Sequence, residues 1–273
     1  MKRERPVISF ALLFLLLAIV LFPIYVMAVG AFKPGMALNM MPPDLSPFSG
    51  FIVNNVVYVL INSPIFRWMA NSFFVSAGTV LITVVIAGTA GYSLSKKQFR
   101  GRGVVFAIVV ATMILPRQLL IIPNFLVANL LHLVNTLIGV VLTSVAPSFG
   151  IFLCRQFMST IPTEFIDAAD IDGCSEIRKF TFIIVPLAAP AFGALAIFTF
   201  LGTWNDFLWQ FIMIQDRINQ TVPIGIAMFA QSMTRNLGYQ MSAAFIATIP
   251  ILAVFLLCQR FFIKGVTIGG VKG

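Results

Sequence analysis

Six long apolar runs dominate this sequence of 273 residues and restrict what it can fold into. The runs cover about residues 7–32, 71–94, 103–122, 137–157, 181–208 and 242–263. A helix needs about 20 apolar residues to cross the hydrocarbon core of a bilayer. The runs do not alternate with a period of two, so they indicate helices rather than barrel strands. We therefore predict an all-α polytopic membrane protein, with six transmembrane helices in a single domain over residues 1–273.

The distribution of charge predicts how these helices are oriented. Only 10% of the residues are charged and the net charge is +9, whereas soluble domains carry about 25% charged residues. Thirteen of the 18 basic residues lie at the N-terminus, in the second and fourth connections or near the C-terminus. The positive-inside rule then places both termini in the cytoplasm. The basic surplus is a topology signal, and we expect no nucleic-acid partner.

The N-terminus and the cysteines add two expectations. Residues 1–5 resemble the basic start of a signal peptide, but the apolar run that follows exceeds the 7 to 15 residues of such a peptide. A retained first helix is therefore predicted. Cys154, Cys174 and Cys258 fall near the cytoplasmic side, where thiols stay reduced. Their spacing does not suit a metal, and His132 is the only histidine, so no metal site is expected.

The second run carries small and hydroxylated residues at helical spacing. Ser72, Ser76, Thr79 and Thr83 are followed by the pair Ala87 and Gly91. Small residues let helices approach closely in lipid, which favours a packing face over a pore lining. Before this run, residues 33–68 hold five prolines and predict an irregular outer loop.

The third run is interrupted at Pro116, directly before Arg117. If the helix continued, Arg117 would lie about 21 Å along it from Gly103, at a depth where an ionisable residue indicates a functional site. If the helix ended at Pro116, the arginine would extend to the outer interface. Both interpretations remain open from the sequence.

The fifth run ends in Trp204, Asn205, Asp206 and Trp209. Tryptophans are typical of the membrane interface and of helix packing, whereas the polar pair suits a hydroxylated substrate. Arg117, Trp204, Asn205 and Asp206 are therefore candidates for either the transport pathway or an interface. Residues 215–240 follow as a predicted polar outer loop.

Five of the nine acidic residues lie within residues 164–176, between the fourth and fifth runs. Thr163 is placed to cap a short helix, and Glu164 and Asp167 complement the positive end of its dipole. Phe165, Ala168 and Ala169 would share an apolar face. Gly173 would end this helix in a left-handed conformation, and Ser175 would cap a second one. The loop 160–180 is either a docking site or a solvated connector.

Asp167-Ala168-Ala169, with Asp172-Gly173 and the later Phe180, Ile183 and Pro186, resembles the EAA loop of binding-protein-dependent ABC importer permeases. The family pattern has Glu, Ala and Leu where this chain has Asp167, Cys174 and Val185. Residues 204–209, 221–225 and 265–273 resemble the maltose/lactose-type sugar permeases of that family. The resemblance covers essentially the whole chain.

The resemblance implies a type I permease fold and an inner-membrane location in a bacterium. It implies a companion homologous permease, a dimeric ATPase and an extracytoplasmic solute-binding protein, with a di- or oligosaccharide as substrate. Two sets of residues would contact the ATPase. The coupling loop would use Glu164, Asp167, Ala168, Ala169, Asp172 and Gly173, and the tail would use Gly269, Gly270, Val271, Lys272 and Gly273. No sugar-binding residue carries over, because the companion permease can hold those contacts.

Three function classes remain to be compared. The sequence has no phosphate loop of the form Gly-x-x-x-x-Gly-Lys-Ser/Thr, so we expect no enzyme and no cofactor in this chain, with ATP and Mg bound by the partner ATPase. An ion-coupled secondary transporter is the alternative, but such carriers use ionisable groups at the membrane midplane. Asp206 lies only at the boundary of a run. A membrane-embedded enzyme would need a nucleophile with a base, or a metal cluster.

Overall fold

The computed structural model describes residues 4–233 and 236–268, with side chains described over 9–233 and 236–257. Within these ranges the protein is helical and contains no β-strand. The described residues divide into two compact units. One takes its residues from Met1–Met69 and Ile224–Pro250, and the other from Ala70–Pro223 and Ile251–Gly273.

The α-helices of the described ranges include three that are long and apolar enough to cross a membrane. In chain order they are α1 Glu4–Ala31, α2 Gly35–Leu38, α3 Asn54–Asn62, α4 Ile65–Lys96, α5 Arg102–Ile114, α6 Ile121–Leu130, α7 Leu137–Ser144, α8 Ser148–Ser159, α9 Glu164–Ile171, α10 Glu176–Arg178, α11 Val185–Leu187, α12 Ala189–Trp204, α13 Phe207–Met213, α14 Val222–Ser232 and α15 Leu237–Ile268. The three long helices are α1, α4 and α15, and three bent pairs of shorter helices would each pass as one further span.

Each bent pair occupies one of the predicted apolar runs. The run 103–122 ends as α5 at Ile114 and turns by 94° into the 3-10 helix Arg117–Leu120 and α6. The run 137–157 is divided between α7 and α8, which are bent by 50°. The run 181–208 bends by 77° at the junction of α11 and α12. Prolines explain these breaks, because Pro116, Pro147 and Pro190 have no backbone N–H to continue a helix.

Other predicted boundaries also differ from the structure. The second helix begins at Ile65, before the predicted residue 71, and the last extends over Leu237–Ile268 rather than 242–263. The segment 215–240, predicted as a loop, contains α14 and the first turn of α15. Apolar residues explain α14, since Ile224 and Phe229 are buried. The predicted outer loop 33–68 likewise contains α3.

The first unit is held by aromatic contacts and by a buried lysine. Tyr58 of α3 stacks on Tyr239 of α15 with ring centroids 4.1 Å apart. Lys33 is only 2% exposed, and its Nζ lies 2.7 Å from Asp44 Oδ2 and 2.5 Å from the carbonyl oxygen of Ser49. Gly225 lies so close to the Trp68 ring that a Cβ there would approach it to 2.2 Å. These contacts fix the connection between α1 and α4 on the first unit's helices.

The second unit buries the hydroxylated face of α4. Ser72, Ser76, Thr79 and Thr83 are each at most 2% exposed. The Ser72 hydroxyl accepts a hydrogen bond from the Val222 backbone N–H at 2.8 Å. This burial supports the packing interpretation of these residues over a pore lining.

Candidate functional site

The acidic segment forms the short helix that the sequence predicts, with Thr163 at its N-cap position. The Thr163 carbonyl accepts hydrogen bonds from the backbone N–H groups of Ile166 at 2.8 Å and Asp167 at 3.0 Å. The Thr163 hydroxyl makes no capping bond, so the predicted side-chain cap is wrong. Thr163 has helical angles, φ −72° and ψ −21°, whereas a capping side chain requires an extended residue. The Ser175 hydroxyl likewise makes no capping bond to α10.

The end of α9 follows the prediction. Gly173 has φ +69°, in the left-handed region. The backbone N–H of Cys174 donates to the carbonyl of Ala169 at 2.9 Å, and that of Asp172 donates to the carbonyl of Ala168 at 3.1 Å. Glycine takes this conformation without a steric cost, so it allows the chain to turn sharply after α9.

The two faces of α9 have different environments. Ile166 and Ala169 are buried, and Ile166 belongs to the same apolar core as Met158 of α8. Phe165 and Ala168 point outward, as does Ile171, which is 88% exposed. The predicted common face of Phe165, Ala168 and Ala169 is therefore divided, because Ala169 packs inward. The buried residues Ile166 and Ala169 hold the helix in place, and the exposed apolar stripe on its other face suits contact with a partner.

A network of charges lies behind α9. Lys179 is only 3% exposed, and its Nζ contacts the carboxylates of Asp170 and of Glu176, the latter at 2.5 Å. Glu176 also pairs with Lys97 at 2.6 Å and accepts a hydrogen bond from the Tyr92 hydroxyl at 3.1 Å. Sequence reasoning interpreted these lysines only as topology signals. The spacing of Glu176 and Lys179, three residues apart on a helix, was the available sign of a pair.

A cavity of about 510 Å³, lined by both polar and apolar side chains, lies where two of the bent pairs break. Pockets for ligands of drug size are about 300–1,000 Å³. Polar side chains from six helical segments line it. They are Thr112, Arg117, Gln118, Asn124, Thr143, Ser148, Asp206 and Trp209.

Hydrogen bonds fix part of this lining. The Asp206 carboxylate accepts from the backbone N–H of Trp209 at 3.2 Å and so caps α13. The Trp209 indole N–H donates to the Thr143 hydroxyl at 2.9 Å. The hydroxyls of Thr112 and Ser148 share a hydrogen bond of 2.8 Å. The cavity therefore offers both hydrogen-bond donors and acceptors on a partly preorganised wall.

The four candidate pathway residues separate into two groups. Arg117 and Asp206 line the cavity, and the Arg117 side chain is exposed. Trp204 is 2% exposed and stacks on Phe200 with centroids 5.5 Å apart, which makes it a packing residue. The Asn205 amide donates to the Leu201 carbonyl of its own helix at 2.8 Å. Sequence reasoning interpreted Trp209 only as a residue of the membrane interface or of helix packing, because its place in the cavity wall depends on Thr143, 66 residues away.

Two further expectations concern metal binding and the C-terminal tail. Among the residues that the structure describes, no group of three or more His, Cys, Asp and Glu side chains is arranged to hold a metal ion. The candidate tail residues Gly269–Gly273 lie outside the described residues.

Comparison with known proteins identifies the family. The model of the family described as "binding-protein-dependent transport system inner membrane component" matches residues 80–268. The arabinooligosaccharides transport system permease protein AraQ of Bacillus subtilis (strain 168) is 32% identical over 97% of this chain and 96% of its own length. The sn-glycerol-3-phosphate transport system permease protein UgpE of Shigella flexneri serotype 5b (strain 8401) is 30% identical over 97% of this chain and 98% of its own length.

A solved structure matches the fold. It is a bacterial ABC transporter involved in the import of the acidic polysaccharide alginate, with a TM-score of 0.83 and 21% identity, covering 96% of this chain and 98% of that chain. The all-helical architecture is thus the fold of a type I ABC importer permease. Members of the family are transport subunits without catalytic activity of their own. The chain belongs to the binding-protein-dependent transport system inner membrane components, as an integral membrane permease subunit.

Proposed function

We propose that this chain is the permease subunit of an ATP-driven sugar importer and forms half of its translocation pathway with a companion permease. The observation that carries the proposal is the cavity at the broken helices, with its polar side chains, in a chain whose relative AraQ is named for arabinooligosaccharides. A di- or oligosaccharide is the proposed substrate. Arg117 and Asp206 give the cavity lining one side chain of each charge, which suits a neutral sugar, because its hydroxyls both donate and accept hydrogen bonds.

The proposed topology has six spans in a single permease domain over residues 1–273, with both termini in the cytoplasm of a bacterial cell. Helices α1, α4 and α15 and the three bent pairs supply the spans. Broken helices are tolerated in a membrane where their free backbone groups line a cavity or are covered by protein. The positions of the basic residues support the orientation.

We propose that α9 docks on a dimeric ATPase. The exposed apolar stripe of Phe165, Ala168 and Ile171 would enter a cleft of the ATPase, beside the carboxylates of Glu164, Asp167 and Asp172. Ala169 and Gly173 would shape the helix rather than make the contact. The tail residues 269–273 would extend toward the same partner. ATP and Mg would be bound by the ATPase, and no cofactor by this chain.

Transport would follow from the coupling of two ligands to one conformational equilibrium. Closure of the ATPase on ATP would carry α9 with it and shift the spans from inward-open to outward-open. A solute-binding protein on the outer side would favour the same state and release its sugar into the cavity. Each ligand shifts the equilibrium only by its difference in affinity for the two states.

The test is purification of the tagged chain from native membranes in mild detergent, followed by mass spectrometry and a sugar-uptake assay. Recovery of an ATPase and a second permease is expected. The variant Phe165→Ser should reduce the recovered ATPase, whereas Phe48→Ser, at a phenylalanine that is 95% exposed in the predicted outer loop, should not. Recovery of the chain alone, still active in uptake, would favour the ion-coupled secondary transporter.

A further inference from the structure

The network around Glu176 joins three separate helical elements. Asp170 belongs to α9, Glu176 begins α10, and Tyr92 lies in the last turns of α4. Lys97 directly follows the end of α4 at Lys96. One carboxylate oxygen of Glu176 contacts Lys179, and the other contacts both Lys97 and Tyr92. Glu176 is therefore the side chain that connects the α9 side of the network to α4.

Lys179 holds the α9 end of this connection. Its buried ammonium group is placed between the carboxylates of Asp170 and Glu176. It is also the first residue of a π-helical segment, Lys179–Ile184, and such segments occur frequently at functional sites. A buried ammonium needs partners for its charge, so Lys179 fixes the positions of both carboxylates.

The network fixes the relative geometry of α9 and α4 more than it stabilises the fold. The side chains of Asp170 and Glu176 are 53% and 54% exposed, so water solvates both carboxylates in part, and Lys179 keeps Asp170 as a partner when Glu176 is replaced. Apolar contacts already attach this region, because Ile166 of α9 and Leu94 of α4 belong to one core. Apolar contacts have no preferred direction, whereas charge-assisted hydrogen bonds fix distance and angle. Removing Glu176 should therefore leave the fold intact and loosen the geometry.

We propose that Glu176 is a positioning residue that transmits the movement of α9 to α4, through its contacts with Lys179 on one side and Lys97 and Tyr92 on the other. This inference rests on the proposed docking of the ATPase at α9. Because α4 packs its buried hydroxylated face inside the second unit, a displacement at its Lys96 end is passed along the part of α4 that lies in that unit. Without Glu176, the ATPase would still dock and hydrolyse ATP. A smaller fraction of the hydrolysis cycles would shift the spans between the inward-open and outward-open states.

The experiment uses the complete importer in proteoliposomes. The sugar-loaded solute-binding protein is supplied on the side of the membrane opposite to the ATPase. Three quantities are measured for each variant: ATPase recovered per permease, ATP hydrolysed and sugar transported. Glu176→Gln and Lys97→Met should each raise the ATP hydrolysed per sugar by about fivefold or more, the lower end of a typical coupling energy. The double variant should be no worse than either single one, because both remove the same connection. Arg100→Met, in the same connection between α4 and α5, is the matched control.

The outcomes separate the two proposals. If no ATPase is recovered with the unsubstituted chain, the proposed function fails and this inference fails with it. If the ATPase is recovered but Glu176→Gln keeps the normal ratio of ATP to sugar, the inference alone is overturned. A loss of ATPase in proportion to uptake would assign Glu176 to docking and would also overturn it. Tyr92→Phe is the second variant, for use if Glu176→Gln does not fold, because it removes only one hydroxyl from the network. It should raise the ratio of ATP to sugar by less than Glu176→Gln would, and an unchanged ratio would overturn the inference.

Discussion

Gly91 of α4 lies directly against Cys154 of α8, so that a Cβ built on Gly91 would be 2.7 Å from the Cys154 Cβ. Cys154 is fully buried. A Cβ at Gly91 would also lie 3.0 Å from the backbone nitrogen of Arg155, so the two helices meet almost backbone to backbone. Close approach through small residues is how helices pack in a membrane, where apolar burial alone does not favour one neighbour over another.

The variant Gly91→Val should therefore destabilise the second unit. The added side chain would meet the backbone of α8 and force the helices apart, and overpacking of this kind costs about 1–3 kcal/mol. We expect a lower unfolding temperature in detergent and less chain in the membrane. Gly103→Val is the control, because nothing lies within 4 Å of a Cβ at Gly103. Equal stability of the two variants would contradict the close packing of α4 and α8.

Gly173 is predicted to be important for uptake because its left-handed backbone conformation is closed to proline and costly for most other residues. Proline is held near φ −65° and cannot adopt the φ of +69° that Gly173 has. Gly173→Pro should abolish uptake and ATPase association while membrane insertion survives. Gly173→Ala should reduce uptake only in part, since the left-handed conformation costs about 1–2 kcal/mol for an L-residue.

A substitution at Gly101 tests the effect of backbone strain alone, away from α9. It has φ +87°, and nothing lies within 4 Å of a Cβ there, as at Gly173. Gly101→Ala introduces similar strain in the turn before α5 and should leave ATPase association unchanged. Normal uptake by Gly173→Pro would show that α9 does not dock in the way proposed.

The sequence predicted local features better than contacts between distant residues. Pro116 and Gly173 act on their own backbone, so the break after α5 and the end of α9 were predictable. The break at Pro147 was missed because the run around it is continuously apolar, and a hydropathy pattern does not register a bend. The burial of Lys179 and the bond between Trp209 and Thr143 require the fold itself, since they depend on how separate helices are placed.

The pair of Lys33 and Asp44 should make the first unit sensitive to acid. The hydrogen bond from Lys33, followed by that from the Ser46 backbone, lowers the pKa of Asp44. A carboxyl whose pKa is lower in the folded state stabilises the fold above its unfolded pKa of about 3.9, and this contribution is lost as the pH falls through the folded pKa. Asp44→Asn should therefore lower the unfolding temperature at neutral pH. The difference from the unsubstituted chain should shrink below about pH 4, and a constant difference at all pH values would contradict this.

Arg117 is predicted to contact the transported sugar. Its exposed side chain extends from the 3-10 helix that follows the break at Pro116, and it lines the cavity with Asp206 and Trp209. A hydrogen bond to a charged group contributes about 1.5–3 kcal/mol, so Arg117→Ala should lower uptake at limiting sugar by about tenfold or more. The ATPase content of the complex should not change, because α9 is untouched. Arg217→Ala is the matched control, since Arg217 is exposed and does not line this cavity. Uptake that falls equally in both variants, or in neither, would place the sugar outside this cavity.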